Sequence, residues 1–172
     1  IRGAGRRNVL RYIDVKRIQL RRKVRFHPIL KQLTRLLRGR GKVFVRRVLN
    51  DPHWPWAIVI CRPTRKALEW LAKVWKPQVM RIVYVEIARD RPVKDDAEAR
   101  EHGRKLMMNC VLCNCRWVPF DFLGTIYFAP RDYCGTNLVA YATPGRWHCE
   151  LRLRSRRLRS LKLTTPTALL RL

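Results

Sequence analysis

The sequence predicts an α/β fold: a small mixed sheet with a βαβ unit and two or three helices, flanked by extended basic N- and C-terminal arms. Basic residues are concentrated at the two ends of the chain, and the middle alternates between strand-like and helix-like apolar patterns. A length of 172 residues suits one ordinary domain with extensions. The apolar fraction of 47% indicates that this domain has a real core.

The net charge of +27 is the strongest indication of function in the sequence. Residues 1–50 carry 17 Lys and Arg against one acid, residues 51–150 carry 15 against 11, and residues 151–172 carry seven against none. A nearly neutral middle therefore has two cationic ends. Such a distribution predicts a polyanionic partner, because phosphates neutralise the ends and release condensed counterions.

The N-terminal section, 1–41, is predicted to be a basic RNA-binding arm followed by a helix. Residues 1–8 mix Gly with Arg and show no periodicity, and residues 9–26 fit neither helix nor strand spacing. From Ile29 to Leu37 the leucines fall on one helical stripe, with Pro28 suited to the first turn and Gly39 to the end.

The core is predicted over 42–153. Segments 42–49 and 57–61 are rich in β-branched residues and predict two strands. Thr64 is a plausible N-cap for an amphipathic helix that Pro77 ends, and 78–88 predicts a further strand. A strand, a helix and a strand in this order predict the βαβ unit.

A second helix and three short strands complete the predicted core. Acidic residues precede basic ones over 95–108, an order that favours a helix through its dipole. Segments 122–128, 136–142 and 146–154 predict strands between Pro and Gly turns. The remaining section, 154–172, has no acid and is predicted to be a basic C-terminal tail that contacts RNA.

Basic residues of the two ends and of the first predicted strand are the candidate RNA contacts, because Arg side chains bind phosphates through paired N–H donors. These residues are Arg2, Arg6, Arg7, Arg11, Arg17, Arg21, Arg22, Lys23, Arg25, Arg35, Arg38, Arg40, Arg46, Arg47, Arg154, Arg156, Arg157 and Arg159. Trp54 and Trp56 lie in a Pro-containing loop. They could stack on unpaired bases, although packing over the sheet edge is the favoured interpretation.

Five of the six cysteines lie in the segment 110–149, where their spacing suits a structural metal site. The preferred zinc ligands are Cys110, Cys113 and Cys134 with either His148 or Cys149. An iron–sulfur cluster held by four thiolates is the second hypothesis, and buried free thiols are the third. Cys115 follows Cys113 too closely for a regular zinc knuckle.

No enzymatic motif is complete in this sequence. His148 and Glu150 form H-x-E, the first half of a zinc deaminase motif, but the C-x-x-C at 110–113 precedes it instead of following it. Walker, dinucleotide-binding and G-x-S-x-G patterns are absent. We therefore expect that the protein is not an enzyme and has no small-molecule substrate. The sequence contains no stretch of 18 consecutive apolar residues, and it therefore predicts no membrane-spanning helix.

In general character the chain resembles ribosomal proteins, particularly those of mitochondrial ribosomes. A small α/β core, Arg-rich ends and a candidate Cys site carry this resemblance, which rests on no specific motif. It implies a structural constituent of the ribosome that binds rRNA and contacts other ribosomal proteins. The alternatives are an RNA-processing or ribosome-assembly factor and a zinc-dependent nucleic-acid enzyme.

The expected location is the mitochondrial matrix, with another organelle or the cytoplasm as the alternative. The chain begins at Ile1 instead of Met, which agrees with removal of an import segment.

Overall fold

The computed structural model describes residues 10–21, 24–112, 117–122, 124–130 and 135–172. This part of the chain has a mixed α/β fold in which the strands are mostly antiparallel. Its elements are β1 (Leu10–Leu20), α1 (His27–Leu37), β2 (Lys42–Arg47), β3 (Trp56–Cys61), α2 (Arg65–Val74), β4 (Met80–Pro92), α3 (Asp96–Leu112), β5 (Trp117–Phe122), β6 (Thr125–Pro130), β7 (Thr136–Thr143), β8 (Arg146–Arg154), α4 (Ser155–Ser160) and α5 (Pro166–Leu169). The α/β class predicted from the sequence is confirmed.

The chain divides into two compact units. One, here called the βαββαβ unit, comprises Ile13–Glu86 and Leu153–Leu172. The other, here called the α3 unit, comprises 10–12 of the described residues together with Ile87–Arg152. None of the helices in the described ranges has the length and apolar character needed to cross a membrane.

In the βαββαβ unit the strands lie in the order β2, β3, β1, β4. Strand β3 is antiparallel to both of its neighbours, with Val15 opposite Cys61 and Lys42 opposite Cys61 at one end of the ladder. Strands β1 and β2 are therefore parallel to each other, with β3 between them and α1 connecting them. This split βαβ arrangement is that of the ferredoxin-like motif.

The predicted βαβ unit is not confirmed, because its two strands are not neighbours in the sheet. Strand β3, helix α2 and strand β4 do follow one another in the chain, as predicted. However, β1 lies between β3 and β4 in the sheet. Strand order is decided by long-range pairing, which the periodicity of a single segment does not encode.

Helices α1 and α2 pack against one face of this sheet. Leu33 and Leu37 of α1 and Leu71 of α2 are completely buried against Ile18 and Ile60 of the strands. Helix α1 starts with Pro28 in its first turn and ends where Arg38 adopts a left-handed conformation with φ of 45°. Thr64 caps α2 by accepting a hydrogen bond from the amide N–H of Ala67 at 3.2 Å. Both helices lie within a few residues of their predicted positions.

The C-terminal section is folded into the βαββαβ unit, so the predicted extended arm is not confirmed over 154–172. Residues 155–160 and 166–169 form α4 and α5, and the side chains of Leu158, Pro166 and Leu169 are buried. Helix α5 contacts α2. Leucines at 158 and 169 supply the apolar surface that keeps this basic segment on the core.

Residues 1–9, 22 and 23 of the predicted N-terminal arm lie outside the described residues, and the extended arm is not confirmed over the part that is described. Residues 10–20, for which the sequence supported neither helix nor strand, form β1. Its buried residues Lys16, Ile18 and Leu20 alternate with the half-buried Arg17 and Gln19. This is the two-residue period of a strand, but a lysine in an apolar position conceals it in the sequence.

In the α3 unit the strands lie in the order β4, β8, β7, β6, β5. The segment predicted as one strand at 122–128 belongs to two strands, β5 and β6, which turn at Gly124. That glycine has a φ of +77°, and its N–H donates to the Asp121 carboxylate at 3.0 Å. Helix α3 begins where Asp95 accepts a hydrogen bond from the amide N–H of Glu98 at 2.8 Å.

Lys16 is an unfavourable group in the core of the βαββαβ unit. Its side chain is 0% exposed, and its Nζ lies 6.0 Å from the centre of the Trp75 ring. Among the described residues, Nζ has no hydrogen-bond partner. Burial removes water from the ammonium group and lowers the pKa of Lys16 to about 7.

We expect Lys16→Met to stabilise the protein at pH 7 by about 1 to 3 kcal/mol, because Met fills the same space without an unsatisfied polar group. Between pH 7 and 10 the folded protein has released the Lys16 proton, whereas the unfolded chain still holds it. Wild-type stability therefore rises over that window, and the advantage of the variant shrinks. Urea unfolding at pH 7 and pH 9 measures both effects. The exposed Lys73→Met is the control, and an equal gain there would contradict the interpretation.

Leu158→Ala should destabilise the βαββαβ unit by about 2 to 5 kcal/mol, the usual cost of a cavity in a core. Leu161→Ala, at a side chain that is 41% exposed in the same segment, is the matched control and should cost little. Thermal unfolding followed by circular dichroism compares them. Equal, small losses of stability in the two variants would contradict the folded C-terminal section and favour the extended arm that the sequence predicts.

Candidate nucleic-acid interface

The sheet of the βαββαβ unit has a second face, opposite the one that α1 and α2 cover. We call it the open face. Successive residues of a strand point to opposite faces, so the burial of Ile18 and Leu20 beneath the helices places Arg17 and Gln19 on the open face. Cross-strand neighbours share a face, and Ala57 of β3 is directly opposite both Gln19 and Arg46.

A cavity of about 570 Å³ lies on the open face. The described residues that line it are Arg17, Gln19, Arg46, Arg47, Val48, Ala57, Val83, Tyr84, Arg154 and Ser155. Four of these are arginines and none is acidic. Fixed positive charges around a concave surface attract anions and raise their local concentration.

Aromatic rings support two of these arginines. The guanidinium carbon of Arg17 lies 5.2 Å from the centre of the Tyr84 ring, and that of Arg46 lies 5.2 Å from the centre of the Phe44 ring. A guanidinium stacks on an aromatic face through its planar shape and its charge. These contacts limit the conformations of two long side chains. The side chains therefore lose less conformational entropy when a phosphate binds.

A third ring, that of Trp54, lies between two cations. The guanidinium carbons of Arg21 and Arg81 are 5.4 and 4.4 Å from its centre. Arg81 also donates from Nε to the Gln19 side-chain oxygen at 2.8 Å and forms an ion pair with Asp51. Trp54 is therefore engaged within the protein.

Trp56 also packs within the protein. It contacts the core cluster, and its ring centre is 5.2 Å from that of Phe26. For both tryptophans the structure agrees with packing, the interpretation that the sequence favoured.

The structure brings together part of the predicted RNA-binding set. Arg17, Arg46, Arg47 and Arg154 line the cavity on the open face, and Arg21 contacts Trp54. Arg25, Arg35, Arg156 and Arg157 are exposed elsewhere on the βαββαβ unit. Arg159 lines a separate cavity of about 300 Å³ near Trp75. Outside the described residues lie Arg2, Arg6, Arg7, Arg22, Lys23 and the side chain of Arg11.

A second basic cavity, of about 570 Å³, lies where α1 ends and α2 begins. The predicted residues Arg38 and Arg40 line it, together with Arg65 and Lys66, which the sequence interpretation did not select. Arg81, Gln19 and Tyr84 on the open face were also missed. The two-residue period of β1 would have identified Gln19 beside Arg17, whereas the other residues depend on the strand order.

The predicted cysteine site lies mostly outside the described residues. Cys113, Cys115 and Cys134 are in segments that the structure leaves out, and for Cys110 only the backbone, in α3, is described. Cys149 is half-buried. His148 is buried next to it on β8, so the two side chains point to opposite faces of the strand. His148 and Cys149, the two alternatives for the fourth zinc ligand, therefore lie on opposite faces of β8.

His148 is the centre of a buried charged network in the α3 unit. Its Nδ1 lies 2.6 Å from Oδ1 of Asp90, and its Nε2 lies 3.4 Å from Oε2 of Glu150. Asp90 also accepts hydrogen bonds from Tyr12 at 3.2 Å and Arg146 at 3.3 Å. His148, Asp90 and Glu150 are each less than one-tenth exposed.

The network shifts the protonation of two of its members. The hydrogen bond to Glu150 raises the pKa of His148, and the carboxylate of Asp90 adds to this, although burial acts in the opposite direction. Burial by itself would raise the pKa of Glu150. Its hydrogen bond to His148 and the nearby Arg152 nevertheless hold that pKa below its usual value. Opposite charges in a poorly solvated site stabilise one another in this way.

Two members of this network, His148 and Glu150, carry atoms of the kinds that bind metal ions. Nε2 of His148 and Oε2 of Glu150 are 3.4 Å apart, and imidazole nitrogens and carboxylate oxygens are ligands that zinc accepts. The contact between Nδ1 and Asp90 is the carboxylate–histidine arrangement that orients metal-binding imidazoles. The sequence interpretation included His148 but did not select Asp90 or Glu150 as members of a metal site.

Comparisons of the chain with protein-family models, with curated proteins and with solved structures gave no match. Function is therefore inferred from the residues of this chain alone. The two features that suggest chemistry are the arginine-lined open face of the βαββαβ unit and the buried histidine network of the α3 unit.

Proposed function

We propose that the protein binds RNA through the open face of the βαββαβ unit. The observation that carries this proposal is the cavity of about 570 Å³ whose described lining contains four arginines and no acid. Four guanidinium groups around one concave surface repel one another in the free protein. Phosphate groups remove this repulsion and accept paired N–H donors from each guanidinium.

Charges beyond the open face favour a partner larger than a single phosphate. The cavity between α1 and α2 adds four more cationic residues, and the chain as a whole carries a net charge of +27. A polyanion that contacts several of these sites releases many counterions, which makes binding strong and dependent on salt. RNA with an irregular fold can reach sites on different faces of one protein.

We propose further that the bound RNA is the rRNA of a ribosome, and that this ribosome is a mitochondrial one. The resemblance in character to mitochondrial ribosomal proteins supports this, as does the high charge relative to a chain of 172 residues. The function would be architectural: arginines bind rRNA phosphates, and surfaces such as the acidic start of α3 contact other ribosomal proteins. A processing or assembly factor would bind the same RNA only transiently.

Sedimentation of the endogenous protein through a sucrose gradient at moderate salt tests the ribosomal assignment. We expect the protein to migrate with one ribosomal subunit and to lose this position after ribonuclease treatment. Migration with precursor particles alone would favour the assembly factor. Migration as a free small protein in both samples would refute both assignments.

Arg46→Gln/Arg47→Gln should weaken binding to structured RNA at least about tenfold and reduce its dependence on salt, because two phosphate contacts are lost. Arg89→Gln/Arg100→Gln removes the same charge from two exposed residues of the α3 unit and is the matched control. Filter binding over a range of salt concentrations measures both quantities. Equal losses in the two double variants would show that only net charge matters and would contradict binding at the open face.

The metal that we propose for the histidine network is zinc, in a structural role. A nitrogen of His148 and an oxygen of Glu150 suit zinc, and Asp90 would hold the imidazole in a fixed orientation. The thiolates predicted from the sequence lie outside the described residues, so a four-thiolate iron–sulfur cluster is the competing proposal.

Elemental analysis of the purified protein distinguishes these metals. We expect zinc, which should be lost in His148→Ala and retained in Cys149→Ser, because the two residues point to opposite faces of β8. Circular dichroism of each variant checks that it is folded. Iron with inorganic sulfide, or a protein without any metal, would contradict the zinc proposal.

A further inference from the structure

The lining of the cavity on the open face includes one small residue between two long ones. Ala57 is opposite Gln19 on one side and Arg46 on the other. In this row across three strands, a short side chain therefore lies between two long ones. All three residues line the cavity. A methyl group between two long polar side chains leaves a hollow that a larger residue would fill.

The walls of this hollow differ in chemistry. Arg46, Arg47 and Arg154 contribute charge, Ala57 and Val83 contribute apolar surface, and Gln19 contributes an amide. The remaining wall is the Arg17 guanidinium stacked on Tyr84. A site for inorganic phosphate alone needs neither an apolar surface nor a stacked planar group. The combination matches a ligand that has an anionic part and a flat, partly apolar part.

Arg17 supplies an independent indication of a ligand. Its Nε is buried, and among the described residues it has no hydrogen-bond partner. A buried N–H donor without an acceptor costs free energy that a bound acceptor would recover. This donor belongs to the same guanidinium that lines the cavity and stacks on Tyr84.

We propose that this cavity holds one unpaired nucleotide of the bound RNA. The base lies against the Arg17–Tyr84 pair, and the phosphate lies at Arg46, Arg47 and Arg154. A volume of about 570 Å³ falls within the range of sites for small organic ligands. This inference rests on the proposed function and specifies the kind of RNA that the open face prefers.

Base-paired RNA does not meet these requirements. In an A-form duplex the bases are stacked on one another, and the deep groove that displays their edges is too narrow for side chains. A paired base therefore cannot enter a hollow in the protein, although the duplex phosphates can still contact the arginines around it. Unpaired bases can leave the strand and stack on a guanidinium plane.

Filling the hollow without changing the charge tests the proposal. The probes are a fluorescein-labelled uridine oligonucleotide of about ten nucleotides and a blunt RNA duplex of the same length, titrated by fluorescence anisotropy at one salt concentration. We expect the wild-type protein to bind the single strand at least about tenfold more tightly than the duplex, the usual effect of one stacked base. Ala57→Leu should remove this preference and leave duplex binding within about twofold.

Two further variants keep the test interpretable. Ala97→Leu adds the same side chain at an exposed position of α3 and should leave both affinities unchanged. Because Ala57 is only 1% exposed, the smaller Ala57→Val provides a second filled cavity if Ala57→Leu does not fold, and it should lose part of the preference.

The outcomes separate this inference from the proposal on which it rests. Equal binding of single strand and duplex by the wild-type protein would refute the nucleotide site and leave RNA binding intact. An unchanged preference in folded Ala57→Leu or Ala57→Val would also refute it. Failure of the wild-type protein to bind either probe or structured RNA would refute the proposed function itself.

Discussion

The alternation of side chains along β1 is the constraint on which the rest of the βαββαβ unit depends. Ile18 and Leu20 are buried beneath α1 and α2, and Arg17 and Gln19 between them belong to the other face. A shift of one residue in the pairing of β1 with β3 would put arginine into the core and isoleucine into the basic cavity. The register of this strand therefore maintains both the core and the interface.

A protein with a net charge of +27 has to keep its cations apart or hold them by local contacts. The open face does so with aromatic rings: Tyr84 lies under Arg17, Phe44 under Arg46, and Trp54 between Arg21 and Arg81. These contacts place the guanidinium groups before a ligand arrives. Lys16 is also near an aromatic ring, that of Trp75, but it is buried, it has no hydrogen-bond acceptor among the described residues, and its pKa falls to about 7.

Acidic residues pair with cationic groups in both units. In the α3 unit, Asp90 and Glu150 are buried and hold His148 between them, whereas Glu101 is paired with Arg104 on the surface of α3. In the βαββαβ unit, Asp51 pairs with Arg81 beside Trp54. Acids therefore compensate cations at particular places and are absent from the described lining of the cavity on the open face.

The local elements could largely be predicted from the sequence. Both amphipathic helices of the βαββαβ unit and the strands at 42–47 and 56–61 follow from residue patterns and capping residues, which act over a few neighbours. Helix α3 follows from the order of its acidic and basic residues. The pattern failed at β1, where Lys16 occupies a core position. It also failed at 154–172, where many arginines outweighed the few leucines that hold the segment on the core.

By itself, the sequence determined the large positive charge of the chain and most of its helices and strands, with β1 and the two C-terminal helices as exceptions. Only the tertiary structure decided that Arg17, Arg46 and Arg154 share one cavity, and that Asp90 meets His148 across a separation of 58 residues. The physical reason is that strand order and register depend on pairing between distant segments. No short stretch of sequence contains that information.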